Sequence, residues 1–254
     1  MKGYENISRN YLTRRVPVII RLDGKAFHTF TRGMEKPFDA VMATAMQNTM
    51  KYLCENIQGC VFGYTQSDEI TLVLTDYATI TTDSWFGYNI QKMSSVSASM
   101  ATLAFNRFFG EAVCARIESD KSDPFDSSKH SIYMGKLNKA MFDSRVFSIP
   151  KEEVCNCLIW RQQDAIRNSI EAVGQANFSQ SALHKKKQAD ILAMLSEKGI
   201  DWNAYPTHLK RGSCCYKTIV GIPMADRIVE RRKWLVDLNP PVFTEEREYV
   251  EVWL

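Results

Sequence analysis

The sequence predicts an α+β fold: an antiparallel sheet of βαββαβ type with helices on one face, and a further layer of helices and strands packed against it. Three patterns lead there. A run rich in β-branched residues, "VPVIIRL" at 16–22, reads as a buried strand. Two later segments carry apolar residues at intervals of three and four, which makes one stripe along a helix. Between them lie two short strand-like runs around an acidic turn, the pattern of a hairpin.

The elements follow in order. After the first strand and a polar loop, Pro37 opens a helix striped by Phe38, Val41, Met42, Ala45, Met46, Thr49 and Leu53. Gly59 releases the chain into "CVFGYTQSDEITLVLT", with Ser67-Asp68-Glu69 at the hairpin tip. Ile90, Met93, Val96, Met100 and Leu103 mark a second helix, and "AVCARIES" at 112–119 alternates as a strand that completes the βαββαβ order. Residues 120–140 are polar and irregular, a linker or mobile loop. Then come a short strand near "SRVFSIP", helices near 151–173 and 184–198, and a strand at "SCCYKTIV", 213–220. These read as a layer (141–254) packed on a core (1–140), not as an independent domain.

Charge and cysteine content narrow the class. Against 32 basic residues stand 29 acidic ones, a net charge of +3, less basic than dedicated nucleic-acid binders. The basic residues cluster locally in "HKKK" (184–187), "HLKR" (208–211) and "RIVERRK" (227–233), each of which also reads as a solvated face. The seven cysteines show no CxxC spacing, and neither they nor the four histidines suggest zinc. Reduced thiols, no apolar leader and no run of about 20 apolar residues lead us to expect a soluble, cytoplasmic protein without membrane contact.

Chemistry enters where the first strand runs into Asp23-Gly24. In a βαββ sheet that strand end and the hairpin tip can be neighbours, which would bring Asp23 and Asp68 together. Two converging carboxylates repel unless a cation lies between them, so the pair implies a hard divalent metal such as Mg²⁺. The Gly24 carbonyl is placed to join them. The stretch Asp23-Gly24-Lys25-Ala26-Phe27-His28 then offers successive backbone N–H groups and a lysine to a polyphosphate. Each motif alone reads as a plain turn; together they read as metal-phosphate chemistry.

"RLDGKAFHTF" followed by "GYTQSDEITLVL" resembles the tRNA-His guanylyltransferase family, with "WRQQDAIRNSI" (160–170) matching its third signature. "FDSRVFSIP" and "HLKRGSCCYK" follow in the family's order, so the resemblance covers roughly residues 1–220. It implies a polymerase/cyclase-like palm of ferredoxin-like topology that adds nucleotides 3′→5′ at the 5′ end of tRNA with two Mg²⁺ ions. Asp23, the Gly24 carbonyl and Asp68 would be metal ligands. Residues Asp23 through His28, with Ser67 and Asp68, would hold a nucleoside triphosphate, ATP or GTP. Glu69 joins the catalytic carboxylates as a weak ligand or a support for one. A homotetramer is implied too. One position departs: the eukaryotic enzymes carry a His where Ile166 stands here, and only Asn168 of their paired asparagines remains. Branches without that His are described as templated tRNA 5′-end repair enzymes. Templated addition is therefore the leading expectation, and untemplated guanylate addition to tRNA-His the alternative.

Several residues keep two readings. Arg161, Asp164 and Asn168 share one helical face beside an apolar stripe, as a buried hydrogen-bond network or as a grip on tRNA. Lys92, with Ser94 and Ser95, would reach a triphosphate or simply face solvent. Lys185, Lys186, Lys187, Lys210 and Arg211 are candidate tRNA contacts, and Trp85 and Trp160 read as core or interface. The expected chemistry is ATP-dependent adenylylation of a tRNA 5′-phosphate, then attack by the 3′-hydroxyl of an incoming nucleotide with release of AMP. On a 5′-triphosphate the same attack expels pyrophosphate. The rivals are a nucleotidyl cyclase and a catalytically inactive tRNA-binding protein. The basic second half argues against the first, and intact Asp23 and Asp68 against the second.

Overall fold

The computed structural model describes residues 1–119, 127–224 and 227–254. In chain order these form α1 (Lys2–Ile7), β1 (Val18–Gly24), α2 (Phe27–Phe30), α3 (Ala40–Asn56), β2 (Cys60–Gln66), β3 (Glu69–Leu74), α4 (Ile90–Ser119) and α5 (Ser127–Met134). There follow β4 (Phe142–Ser148), α6 (Lys151–Asn177), α7 (Gln180–Leu183), α8 (Gln188–Glu197), α9 (Thr207–Arg211), β5 (Ser213–Met224), β6 (Arg227–Asp237) and α10 (Glu248–Glu251). The six strands make one sheet in the order β4-β1-β3-β2-β5-β6, every neighbouring pair antiparallel.

Both faces of β1 are covered over Val18-Ile19-Ile20, which explains that continuous apolar run. Val18, Ile20 and Leu22 pack with Met46, Met50, Leu53, Phe105 and Phe109 of α3 and α4. Ile19 packs on the other face with Val154 and Leu158 of α6 and with Phe243 and Val250 near the C-terminus. A strand buried on two sides cannot alternate polar and apolar residues.

Four expectations need correction. Residues 112–119 are the end of α4, not a strand. Phe105, Phe109 and Val113 are buried at intervals of four, so the apparent alternation is the tail of a helical stripe. The closing strand of the βαββαβ unit is β4, and Leu103, placed in the buried stripe, is 69% exposed. The first long helix starts at Ala40, because the Asp39 carboxylate accepts the Met42 N–H at 2.9 Å and caps it; Pro37 lies before it. Within 120–140, α5 replaces part of the expected loop, and 120–126 lie outside the described residues. The basic run at 227–233 falls in β6, paired along its length with β5, so the later elements extend the same sheet. Among the described residues no helix is long and apolar enough to cross a membrane.

Candidate active site

Strand register brings the acidic residues together. Asp23, near the end of β1, faces Glu69 on β3 and Asp143 on β4. Directly opposite residues of an antiparallel pair point to the same side of the sheet. The hairpin between β2 and β3 has only Ser67 and Asp68 as its loop, with Ser67 in the left-handed region at φ 49°. The Gly24 N–H donates to the Asp68 carbonyl at 3.1 Å and pins that loop to the end of β1. Burial pushes the Asp68 carboxyl above its ordinary range, and the nearby Asp23 charge pushes it further. Among the described residues no group of three or more His, Cys, Asp or Glu side chains gathers around a point, so further ligands would be carbonyl or phosphate oxygens.

The loop after β1 is built around Phe27. Its buried ring packs on Phe30, Phe105 and Phe142, with centroids 4.9, 5.4 and 5.2 Å away. A Cβ on Gly24 would lie 2.3 Å from that ring, so only glycine fits there. Ala26 takes φ 56°, turning the chain into α2. The N–H of Lys25 donates to the Met141 carbonyl at 2.9 Å, while that of Gly24 is held by Asp68. The expected phosphate nest therefore narrows to Ala26, Phe27 and His28, whose N–H groups no helical carbonyl reaches. The Lys25 side chain is exposed and lies outside the cavity described next.

A cavity of about 540 Å³ opens beside these groups, a size suited to a nucleotide. Asp23, Gly24, Ala26, Phe27 and His28 line one side, Ser67 and Asp68 the next, and Asn168 and Ser169 of α6 the far wall. Phe38, Met42, Met46 and Ala172 give it an apolar part. Lys36, His208 and Lys210 add cationic groups, and Gln47 an amide held by Ser213 Oγ at 3.1 Å. Lys36 and Gln47 lie outside every motif of the sequence, whereas His208 and Lys210 belong to the basic run 208–211. The pairing of β2 with β5, which brings α9 to the site, carries no local signal. Burial lowers the proton affinity of both His208 and Lys210.

The remaining expected residues separate. Arg161 is 7% exposed and donates through Nη1 to Glu69 Oε2 at 3.0 Å, with Asp164 at 3.5 Å. A guanidinium so enclosed presents no surface to a tRNA phosphate, which corrects that assignment in favour of the buried network. Glu69 is held chiefly by this arginine, and burial raises its carboxyl against the opposing pull of Arg161. Asn168 Nδ2 donates to Asp164 at 3.3 Å and stays on the cavity wall. Arg211 is half-buried, its Nε on the Pro240 carbonyl at 2.9 Å. Lys185, Lys186 and Lys187 are exposed between α7 and α8, and Lys92 is exposed on the first turn of α4; none lines the cavity. Ser94 ties α4 to β4 through the Ser144 carbonyl at 2.7 Å. Trp85 is buried as expected, whereas Trp160 is 53% exposed.

Residues 1–150 match the family described as Thg1, tRNAHis guanylyltransferase. A bacterial tRNA(His) guanylyltransferase (Thg1)-like protein solved in complex with ATP is 41% identical over 100% of this chain and 96% of its own, with a TM-score of 0.81. A second structure described in the same words, in complex with GTP, is 40% identical over the same shares, with a TM-score of 0.79. The tRNA(His) guanylyltransferase of Schizosaccharomyces pombe is 25% identical over 227 residues, 84% of this chain and 77% of its own.

Proposed function

The chain belongs to the tRNA-His guanylyltransferase family and is a nucleotidyltransferase acting at the tRNA 5′ end; from that premise we propose that it adds guanylate to tRNA-His. The observation that carries the proposal is the nucleotide-sized cavity whose wall includes both Asp23 and Asp68. ATP or GTP would lie there, its base against Phe38, Met42 and Met46 and its triphosphate at the Ala26–His28 N–H groups. Lys36 and Lys210 balance its charge.

The oxygen set of Asp23, Asp68 and the Gly24 carbonyl fits Mg²⁺, a hard cation that takes carboxylate, carbonyl and phosphate oxygens. When bound, such ions would acidify an attacking hydroxyl and neutralise the charge of the departing pyrophosphate or AMP. The chain's own part is positioning. The loop fixed by Phe27 holds the triphosphate, and the Gly24–Asp68 hydrogen bond holds the two carboxylates at one sheet end. A tRNA 5′-phosphate first attacks the α-phosphorus of ATP, releasing pyrophosphate. The 3′-hydroxyl of GTP then attacks the tRNA-side phosphorus, forms the new phosphodiester and releases AMP. Residues 141–254 contribute tRNA contacts, and the assembly is a homotetramer.

A second reading, templated repair, is favoured by Ile166. It packs as a partly buried apolar side chain against Ile170, Val173 and Ile191 where a histidine would offer a polar group. The names of the similar proteins favour guanylate addition instead. Four tRNAs that differ only at the base facing the missing 5′ nucleotide separate the two. Guanylate entering all four supports the proposal, whereas insertion that follows Watson–Crick complementarity establishes templated repair in its place.

A further inference from the structure

Trp160 stands on α6 with about half its surface in solvent, although its neighbours Arg161 and Gln162 are buried. Two guanidinium carbons lie near its ring centroid, Arg161 at 3.5 Å and Arg21 at 5.5 Å. Arg21 precedes Asp23 by two residues on β1, so both side chains leave the same face of the sheet, about 7 Å apart along the strand. Across from Arg21 on β4 is Arg145, 55% exposed on that same face. The nucleotide-sized cavity meets α6 at Ala165, Asn168 and Ser169 and meets β1 at Asp23. Trp160 and Arg21 lie beyond it in the direction of the α6 N-terminus. Asp23 thus lies on the cavity wall and on the same strand face as Arg21, which reaches a half-exposed indole whose one face is covered by the Arg161 guanidinium.

We propose that Trp160 is a stacking platform for the 5′-terminal base of the acceptor RNA, with Arg21 and Arg145 against the adjoining phosphates. The proposal rests on the reading that an RNA 5′ end is the acceptor. The charge of the two arginines complements a phosphate chain, and every base has a π-face that an indole accepts. The separation of about 7 Å between the rungs of Arg21 and Asp23 is about the length of one nucleotide. In this arrangement a base stacked on Trp160 directs its 5′-phosphate along β1 towards the carboxylate end.

The test measures binding of a 3′-labelled tRNA to the full chain, with a normal or an abasic 5′-terminal nucleotide. Trp160→Ala should weaken binding of the normal tRNA about tenfold, within the range seen for base–aromatic stacking. Trp160→Phe should recover most of that loss, and affinity for GTP alone should stay unchanged. The abasic tRNA should bind the unaltered chain as weakly as normal tRNA binds Trp160→Ala, with no further loss when the two changes are combined. Unchanged affinity in Trp160→Ala would overturn the platform. So would additive losses, or a changed sedimentation coefficient that makes Trp160 a subunit contact. A chain that binds tRNA without extending it refutes the transfer reading alone, because the abasic comparison is made on binding. A chain that does not bind tRNA overturns the platform as well.

Discussion

Replacing Arg161 with alanine should be among the most damaging single changes outside the carboxylate pair, and the loss should depend on pH. The Arg161 and Glu69 side chains are 8% and 11% exposed and 3.0 Å apart. Removing one partner of such a pair leaves a buried charge uncompensated, at about 3–5 kcal/mol. For a chain of this length that corresponds to a fall in melting temperature of about 6–20 °C. Burial already holds the Glu69 carboxyl above its ordinary range, and Arg161 is the largest influence opposing it. Without the arginine it rises further. An acid whose folded value is raised costs stability only where the unfolded chain is ionised, that is, above about pH 4.3. The penalty in Arg161→Ala should therefore grow as pH rises above about 4.3 and fade as pH falls towards 4. Pairing Arg161→Met with Glu69→Gln should recover most of the stability at pH 7. Thermal melts from pH 4 to 8 check this. A loss below about 1 kcal/mol at pH 7, or no relief from Glu69→Gln, would refute the reasoning.

Three further outcomes are expected. Asp23→Ala and Asp68→Ala should each abolish tRNA adenylylation and nucleotide addition while melting within a few degrees of the unaltered chain, since each removes one of two repelling carboxylates; labelled ATP and calorimetry test both halves. Gly24→Ala should weaken GTP binding and lower stability together, because its Cβ would meet the Phe27 ring at 2.3 Å; titration of GTP against the variant measures it. Replacing Lys185, Lys186 and Lys187 by alanine should reduce the slope of log K for tRNA against log salt by about two units if all three contact phosphate, and an unchanged slope would leave them as a solvated face.

The sequence carried the parts of the fold written in short-range patterns. The β-branched run of β1, the stripe of α3 from Val41 to Leu53 and the acidic hairpin lie where their periodicities put them. At 112–119 a short apolar segment of a long helix imitated alternation, an ambiguity that only packing resolves. In the site, the placing of Asp23 and Gly24 at the end of β1 and of Asp68 in the hairpin turn was legible, because strand ends and turns have local signals. The cavity wall was less so. Gln47 meets Ser213 across 166 residues, and Tyr64 donates to the Arg211 carbonyl across 147. Such contacts follow from the pairing of β2 with β5, which no local window contains. Arg161 and Trp160, adjacent in sequence, have opposite environments because consecutive helical residues point about 100° apart. One is turned into the sheet towards Glu69, the other out beside Arg21.

The most direct measurement is extension of a tRNA-His transcript that carries a 5′-monophosphate and lacks its extra 5′ nucleotide, followed at single-nucleotide resolution with ATP, GTP and Mg²⁺ present. The unaltered chain should yield a product one nucleotide longer at the 5′ end, with one AMP released per addition, and Asp23→Asn should yield neither. A transcript that stays its original length while the chain binds GTP and tRNA, or that grows equally well with Asp23→Asn, would contradict assignment of the Asp23–Asp68 sheet end as the centre that transfers nucleotides to RNA.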